Sequence, residues 1–209
     1  MRLHVLGGVA GPVLFALVVI LCGALRPGYN HATQMISELG ETGGSYASLM
    51  NFLGFIPSGI LLATLGASLA RVVPRTPLYL VAGTLIAIFG LGIAAAGVYS
   101  CDPGCPQHYL SSEAKLHGLV SITAFIAGVL GTALWAYCFR GLAMWRSLWR
   151  YSAASSGTAL VLLLVLYATA ESRSPHGVWQ RLFLATLFLW CTVASIRLFR
   201  LTAASRHAA

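Results

Sequence analysis

The chain has 209 residues, 58% of them hydrophobic and 9% charged, with a formal net charge of +8 and a mean hydropathy of +0.81. These values exclude an ordinary soluble domain and describe a polytopic membrane protein. They also give no support to a nucleic-acid partner, because the basic residues flank apolar runs instead of forming a soluble basic surface.

A bilayer core about 30 Å thick takes roughly 20 residues of helix to cross, and six runs reach that length. The expected fold is therefore all-α, a bundle of six transmembrane helices forming a single membrane domain over 1–209. Helix 1 is expected over 5–25: its apolar run is too long for a signal-peptide core, and Arg26-Pro27-Gly28 stops it. A polar loop follows, in which Ser37-Glu38-Leu39-Gly40 suggests a short interfacial turn. Helix 2, over 49–70, places Ser48, Asn51, Phe55 and Ser58 on one face, and Pro57 predicts a kink.

A short basic turn leads to helix 3 over 78–98, where Gly83, Gly90, Gly92 and Gly97 allow close helix packing. Between helices 3 and 4 lies YSCDPGCPQHYLSSEAKLHG, residues 99–118, where acids, thiols and imidazoles crowd together. Helix 4 is expected over 116–139. Trp145 with Trp149 and Arg146 with Arg150 then form an aromatic and basic pairing suited to anionic headgroups. Helix 5 over 152–170 and helix 6 over 179–201 complete the set.

Six spans place both termini on one side. That side carries Arg2, Arg71, Arg75, Arg140, Arg146, Arg150, Arg197, Arg200 and Arg206, against Arg26, Lys115, Arg173 and Arg181 on the other. The positive-inside rule puts the richer side, with the N and C termini, in the cytoplasm. All five acids, Glu38, Glu41, Asp102, Glu113 and Glu171, then fall on the outer face with His31, His108, His117 and His176. The span centres hold no charged residue or histidine, which argues against a proton relay or ion-coupled transporter.

Several chemistries fit the outer cluster. Cys101 and Cys105 flank Asp-Pro-Gly, a turn that brings the thiols together as a disulfide staple or, less in keeping with their spacing, a redox pair. Asp102, His108, His117 and His176 are candidate ligands for zinc or another divalent metal, which would activate water. Without metal, His117 and Asp102 make a general acid/base set with Ser37 as candidate nucleophile and Glu38 as a further candidate catalytic residue. Arg26 and Arg181, with Asn51 and His176, are candidate substrate contacts, the arginines for an anionic headgroup. A haem between outer histidines fits less well, because only His117 is well placed on a helix.

Three stretches, PGYNHATQMISELGETGGSYASLMN, AAAGVYSCDPGCP and HGLVS, resemble the bacterial and archaeal membrane family catalogued as domain of unknown function 998. Pro27, Gly28, Ser37, Glu38, Leu39, Gly40, Asn51, Asp102, Gly104 and His117 match its pattern. The resemblance implies a six-helix membrane protein and no particular reaction. The Ser, Asp and His at one membrane face are also similar in kind to the alkaline ceramidase and progestin-adipoQ receptor superfamily of metal hydrolases, although the paired histidines of a late helix are missing here. The expectation is thus a multi-pass protein of a bacterial inner membrane, partnered with the lipid bilayer, whose outer pocket binds or hydrolyses a lipid-like small molecule. The alternative is a non-enzymatic permease or partner subunit.

Overall fold

A backbone in hydrocarbon has no water to bond to, so an apolar chain crossing a bilayer folds as helix and satisfies its N–H and C=O groups internally. The computed structural model describes residues 6–72, 76–170 and 175–207, and among them the chain is all-helical, with six helices long and apolar enough to span a membrane. Arg2, Arg75, Glu171 and Arg173, counted above for sidedness, lie outside the described residues.

Helix α1 is Gly7–Leu25, followed by a 3-10 turn at Ile36–Gly40. Helix α2 begins with a single turn at Ala47–Leu49, loosens into a π-helical segment at Met50–Phe55 and continues as regular helix at Ile56–Val72. The π segment ends next to Pro57, whose missing N–H and bulky ring disrupt a regular ladder; the Ile56 N–H reaches back to the Asn51 carbonyl. This wider turn buries Asn51, Phe55 and Ser58 but leaves Ser48 exposed, so Ser48 does not share their inward face.

Helix α3 is Pro77–Val98 and α4 is Ser112–Gly141. Helix α4 starts before the apolar run because Ser111 caps it, its hydroxyl accepting the Ala114 N–H at 3.0 Å. A 3-10 turn at Ala143–Leu148 leads into α5, Trp149–Ala168, and α6 is His176–His207.

The outer faces are what a lipid environment requires. Leu17, Phe52 and Leu164 are 61%, 68% and 62% exposed, values that would mark an interaction surface on a soluble protein. Inside, Trp135, Trp190, Phe89, Phe139 and Phe183 are fully buried.

Helices α2 and α3 meet through small residues at seven-residue intervals. Gly59 and Gly66, each followed four positions later by Ala63 and Ala70, face Gly83 and Gly90, each followed by Ala87 and Ala94. A Cβ on Gly59 would sit 2.3 Å from the Ala94 nitrogen, and one on Gly90 would sit 2.4 Å from the Ala63 nitrogen. Since lipid removes the hydrophobic drive for helices to associate, this backbone-to-backbone fit supplies dispersion energy instead.

Two connections and the start of α6 interlock at one end of the bundle. Thr42 donates its N–H to the Cys101 carbonyl at 2.9 Å, and Val178 donates to the Ala32 carbonyl at 3.0 Å. The loop after α1 therefore bonds to both the α3–α4 loop and the start of α6.

Candidate active site under the loop cap

The cap is assembled by charged side chains that satisfy one another or the backbone. Arg26, at the end of α1, donates Nη2 to Glu41 Oε1 at 2.6 Å and Nη1 to the Glu38 carbonyl. The other Glu41 oxygen accepts the Gly104 N–H at 2.6 Å, so a single carboxylate links α1, the 36–41 loop and the α3–α4 loop.

Glu38 turns inward on its own segment, accepting the Met35 N–H at 2.8 Å and Gln34 Nε2 at 2.8 Å. Asn51 donates to the Gly40 carbonyl at 3.1 Å and to Ser100 Oγ at 3.2 Å. Gly40 has to be glycine for this contact, because a Cβ there would lie 2.2 Å from Asn51 Oδ1.

Asp102-Pro103-Gly104-Cys105 forms a tight turn closed by the Cys105 N–H on the Asp102 carbonyl at 2.8 Å. Proline in the second place and Gly104 at φ +76° in the third are the residues a type II turn demands. Cys101 and Cys105 are joined as a disulfide across it, with their Cα atoms 5.1 Å apart. Asp102 Oδ2 accepts the Leu110 and Ser111 N–H groups at 2.7 and 3.2 Å. The Ser111 hydroxyl first, and these backbone donors with it, hold the Asp102 carboxyl below its ordinary range against the opposing effect of burial.

Beneath this cap is a cavity of about 110 Å³ bordered by Ser37, Asp102, His117, Ser121, His176 and Gln180, with Phe125 and Leu166 as its apolar wall. That volume holds several waters or the polar end of a small molecule. An outer vestibule of about 540 Å³, reached by Glu38 and His108, shares Met35, Cys105, Pro106, Gln107, Ala170 and His176 with the inner chamber.

His117 is buried and its Nδ1 lies 2.7 Å from the Tyr99 carbonyl. A carbonyl oxygen can only accept, so Nδ1 carries a proton, and in the neutral form of the ring this leaves Nε2 as the hydrogen-bond acceptor. Gly118 beside it makes room for Tyr109, whose hydroxyl would lie 2.1 Å from an added Cβ. His176 Nδ1 is 3.5 Å from Thr169 Oγ1, and Gln180 Oε1 accepts the Ile36 N–H at 2.6 Å.

Of the candidate residues, the fold brings Ser37, Asp102, His117 and His176 to one chamber, with the Cys101–Cys105 bridge in its wall. Arg26, Glu38 and Asn51 lie outside it, spent on the contacts that hold the cap. His108 is exposed in the vestibule. Arg181 borders a separate groove, donating to the Gln34 and Gly177 carbonyls and to the Tyr29 hydroxyl.

Among the described residues no group of three or more His, Cys, Asp and Glu side chains is placed to hold a metal ion. Of the four proposed ligands, Asp102, His117 and His176 border the chamber, while His108 stands in the vestibule, which His176 also borders. Glu41, Tyr109, Ser121 and Gln180 fall outside the candidate set. Helical phase was a usable signal for two of them, because Ser121 follows His117, and Gln180 follows His176, by four positions on the same face. Glu41 and Tyr109 are placed by long-range packing and carry no such signal.

Six apolar helices closed at one end by interlocking polar loops define a multi-pass membrane protein with a chamber at one end of the bundle. The chain belongs to the family described as protein of unknown function (DUF998), whose profile matches residues 9–197. No curated protein and no solved structure matches it.

Proposed function

We propose that the chamber binds the polar end of a lipid-like small molecule, with His117 as the central contact. The observation that carries this reading is the orientation of His117, whose Nδ1 is committed to the Tyr99 carbonyl while the ring borders a cavity with Ser37, Asp102, Ser121 and His176. A neutral imidazole in that tautomer takes a hydrogen bond from a ligand hydroxyl or acid group. Phe125 and Leu166 continue the wall toward the apolar interior and suit the start of a hydrocarbon chain.

Hydrolysis extends the same reading. His117 Nε2 would take the proton from water or from the Ser37 hydroxyl as it attacks an ester carbonyl, and return it to the leaving alkoxide. The non-enzymatic reading, binding without turnover, draws support from Asp102, Glu38 and Arg26, whose polar atoms are engaged in holding the cap. In both readings the chamber faces the exoplasmic side of a bacterial inner membrane, as the arginine distribution supports.

Extraction and mass spectrometry of lipids co-purifying with wild type, Ser121→Phe and His117→Ala tests binding. A compound present with wild type and lost from both variants is the expected result; identical extracts from all three would sink the reading. Release of a chromogenic alcohol from p-nitrophenyl esters by wild type, abolished in His117→Ala, would select turnover over binding alone.

A further inference from the structure

Away from the chamber, α1 and α6 leave a groove of about 570 Å³ lined by apolar side chains. Val13 and Ile20 on α1 and Leu189 on α6 are 53%, 62% and 58% exposed along it, so it opens toward the hydrocarbon. Its polar end is formed by Arg181 and His31. The His31 ring lies against Gly23, where a Cβ would come within 2.5 Å of it, and its Nδ1 is 3.1 Å from Arg181 Nη2.

Among the described residues Arg181 has only neutral hydrogen-bond partners. Nη1 donates to the Gln34 and Gly177 carbonyls at 2.8 and 3.0 Å and Nη2 to the Tyr29 hydroxyl at 2.6 Å, while Nε is buried without an acceptor. Burial first, and the Arg181 charge with it, keep the His31 imidazole below its usual range, consistent with a neutral ring that accepts from the guanidinium. The only ion pair among the described residues joins Arg26 to Glu41. The other carboxylate of this loop, Glu38, is engaged by Met35 and Gln34. A half-buried cation with no carboxylate in contact among the described residues thus stands at the headgroup end of a chain-sized apolar groove, where an anion would pair with it.

We propose that this groove is a site for one anionic phospholipid, its chain lying between α1 and α6 along Ala16 and Ala185 and its phosphate seated at Arg181. The site is distinct from the chamber, with which it shares no lining residue. The neutral His31 and Tyr29 hold the guanidinium in place, and one phosphate supplies the missing negative charge. A zwitterionic headgroup brings its own ammonium and gains less.

Native mass spectrometry of the detergent-purified protein, titrated with phosphatidylglycerol and with phosphatidylcholine of the same acyl chains, tests this. Wild type is expected to retain one phosphatidylglycerol with a preference of roughly fivefold to tenfold over phosphatidylcholine, the scale of one arginine at a headgroup. Arg181→Gln should abolish the preference. Since Arg181 also braces the cap, Ala185→Phe provides a second variant, filling the groove from its lipid-exposed side and leaving every cap contact in place; it should lose the retained lipid. His117→Ala should retain it, which separates failure of the chamber from failure of the groove. Equal retention of both lipids by wild type, or an unchanged preference in Ala185→Phe, would show ordinary annular lipid and overturn the proposal.

Discussion

At the residue scale, most of the charged and amide groups at the capped end are consumed by architecture. Gly40 and Asn51 form one such unit, and the 2.2 Å approach between an added Cβ and Asn51 Oδ1 predicts that Gly40→Ala costs about 1–3 kcal/mol as overpacking. Asn51→Ala in the Gly40→Ala background should recover part of that loss, and melting of the two singles and the double in detergent measures the coupling. Asp102 makes a pH prediction. Its folded pKa lies below the ordinary value of 3.8, so its contribution is fully present above that value and is lost as pH falls through the folded pKa. The wild-type melting temperature should therefore drop on acidification below the ordinary carboxylate range, and Asp102→Asn should lack that part of the slope.

The helices owe their positions to small residues and to the polar groups at their ends. Gly59 and Gly66 against Gly83 and Gly90 bring the α2 and α3 backbones into contact, and a side chain larger than hydrogen meets backbone atoms that cannot rotate away. Gly66→Leu should therefore lower the melting temperature more than Gly157→Leu, since a Cβ on Gly157 meets nothing within 4 Å. Equal losses for the two would show that the contact is not tight. Helix α4 depends instead on its first turn. Ser111 caps it and Asp102 holds the preceding N–H groups, so the chamber residue His117 inherits its position from a capping network one and a half turns earlier.

At the scale of the whole molecule, Glu41 is the link on which the cap converges, since it joins Arg26 to Gly104 across two loops. Glu41→Gln should leave the half-buried guanidinium unneutralised at a cost on the order of 1–3 kcal/mol, and hydrogen exchange should rise at Thr42, Gly104 and Val178 while the helix centres stay protected. The six spans and the family were legible because hydrophobic length and the ISELG, CDPG and HG stretches are local signals that no packing can erase. The tight turn at Asp102 was legible for the same reason, since proline and glycine constrain only their own dihedrals. A distortion at Pro57 was legible too, but its π-helical form, the pairing of Gly59 and Gly66 with the α3 glycines, and the division of the polar residues between cap, chamber and groove were not. Arginines 26 and 181 read alike in sequence, as basic residues flanking apolar runs. Tertiary structure alone gave one a carboxylate and left the other facing hydrocarbon without one, because which charge is neutralised depends on chain segments distant in sequence meeting in space.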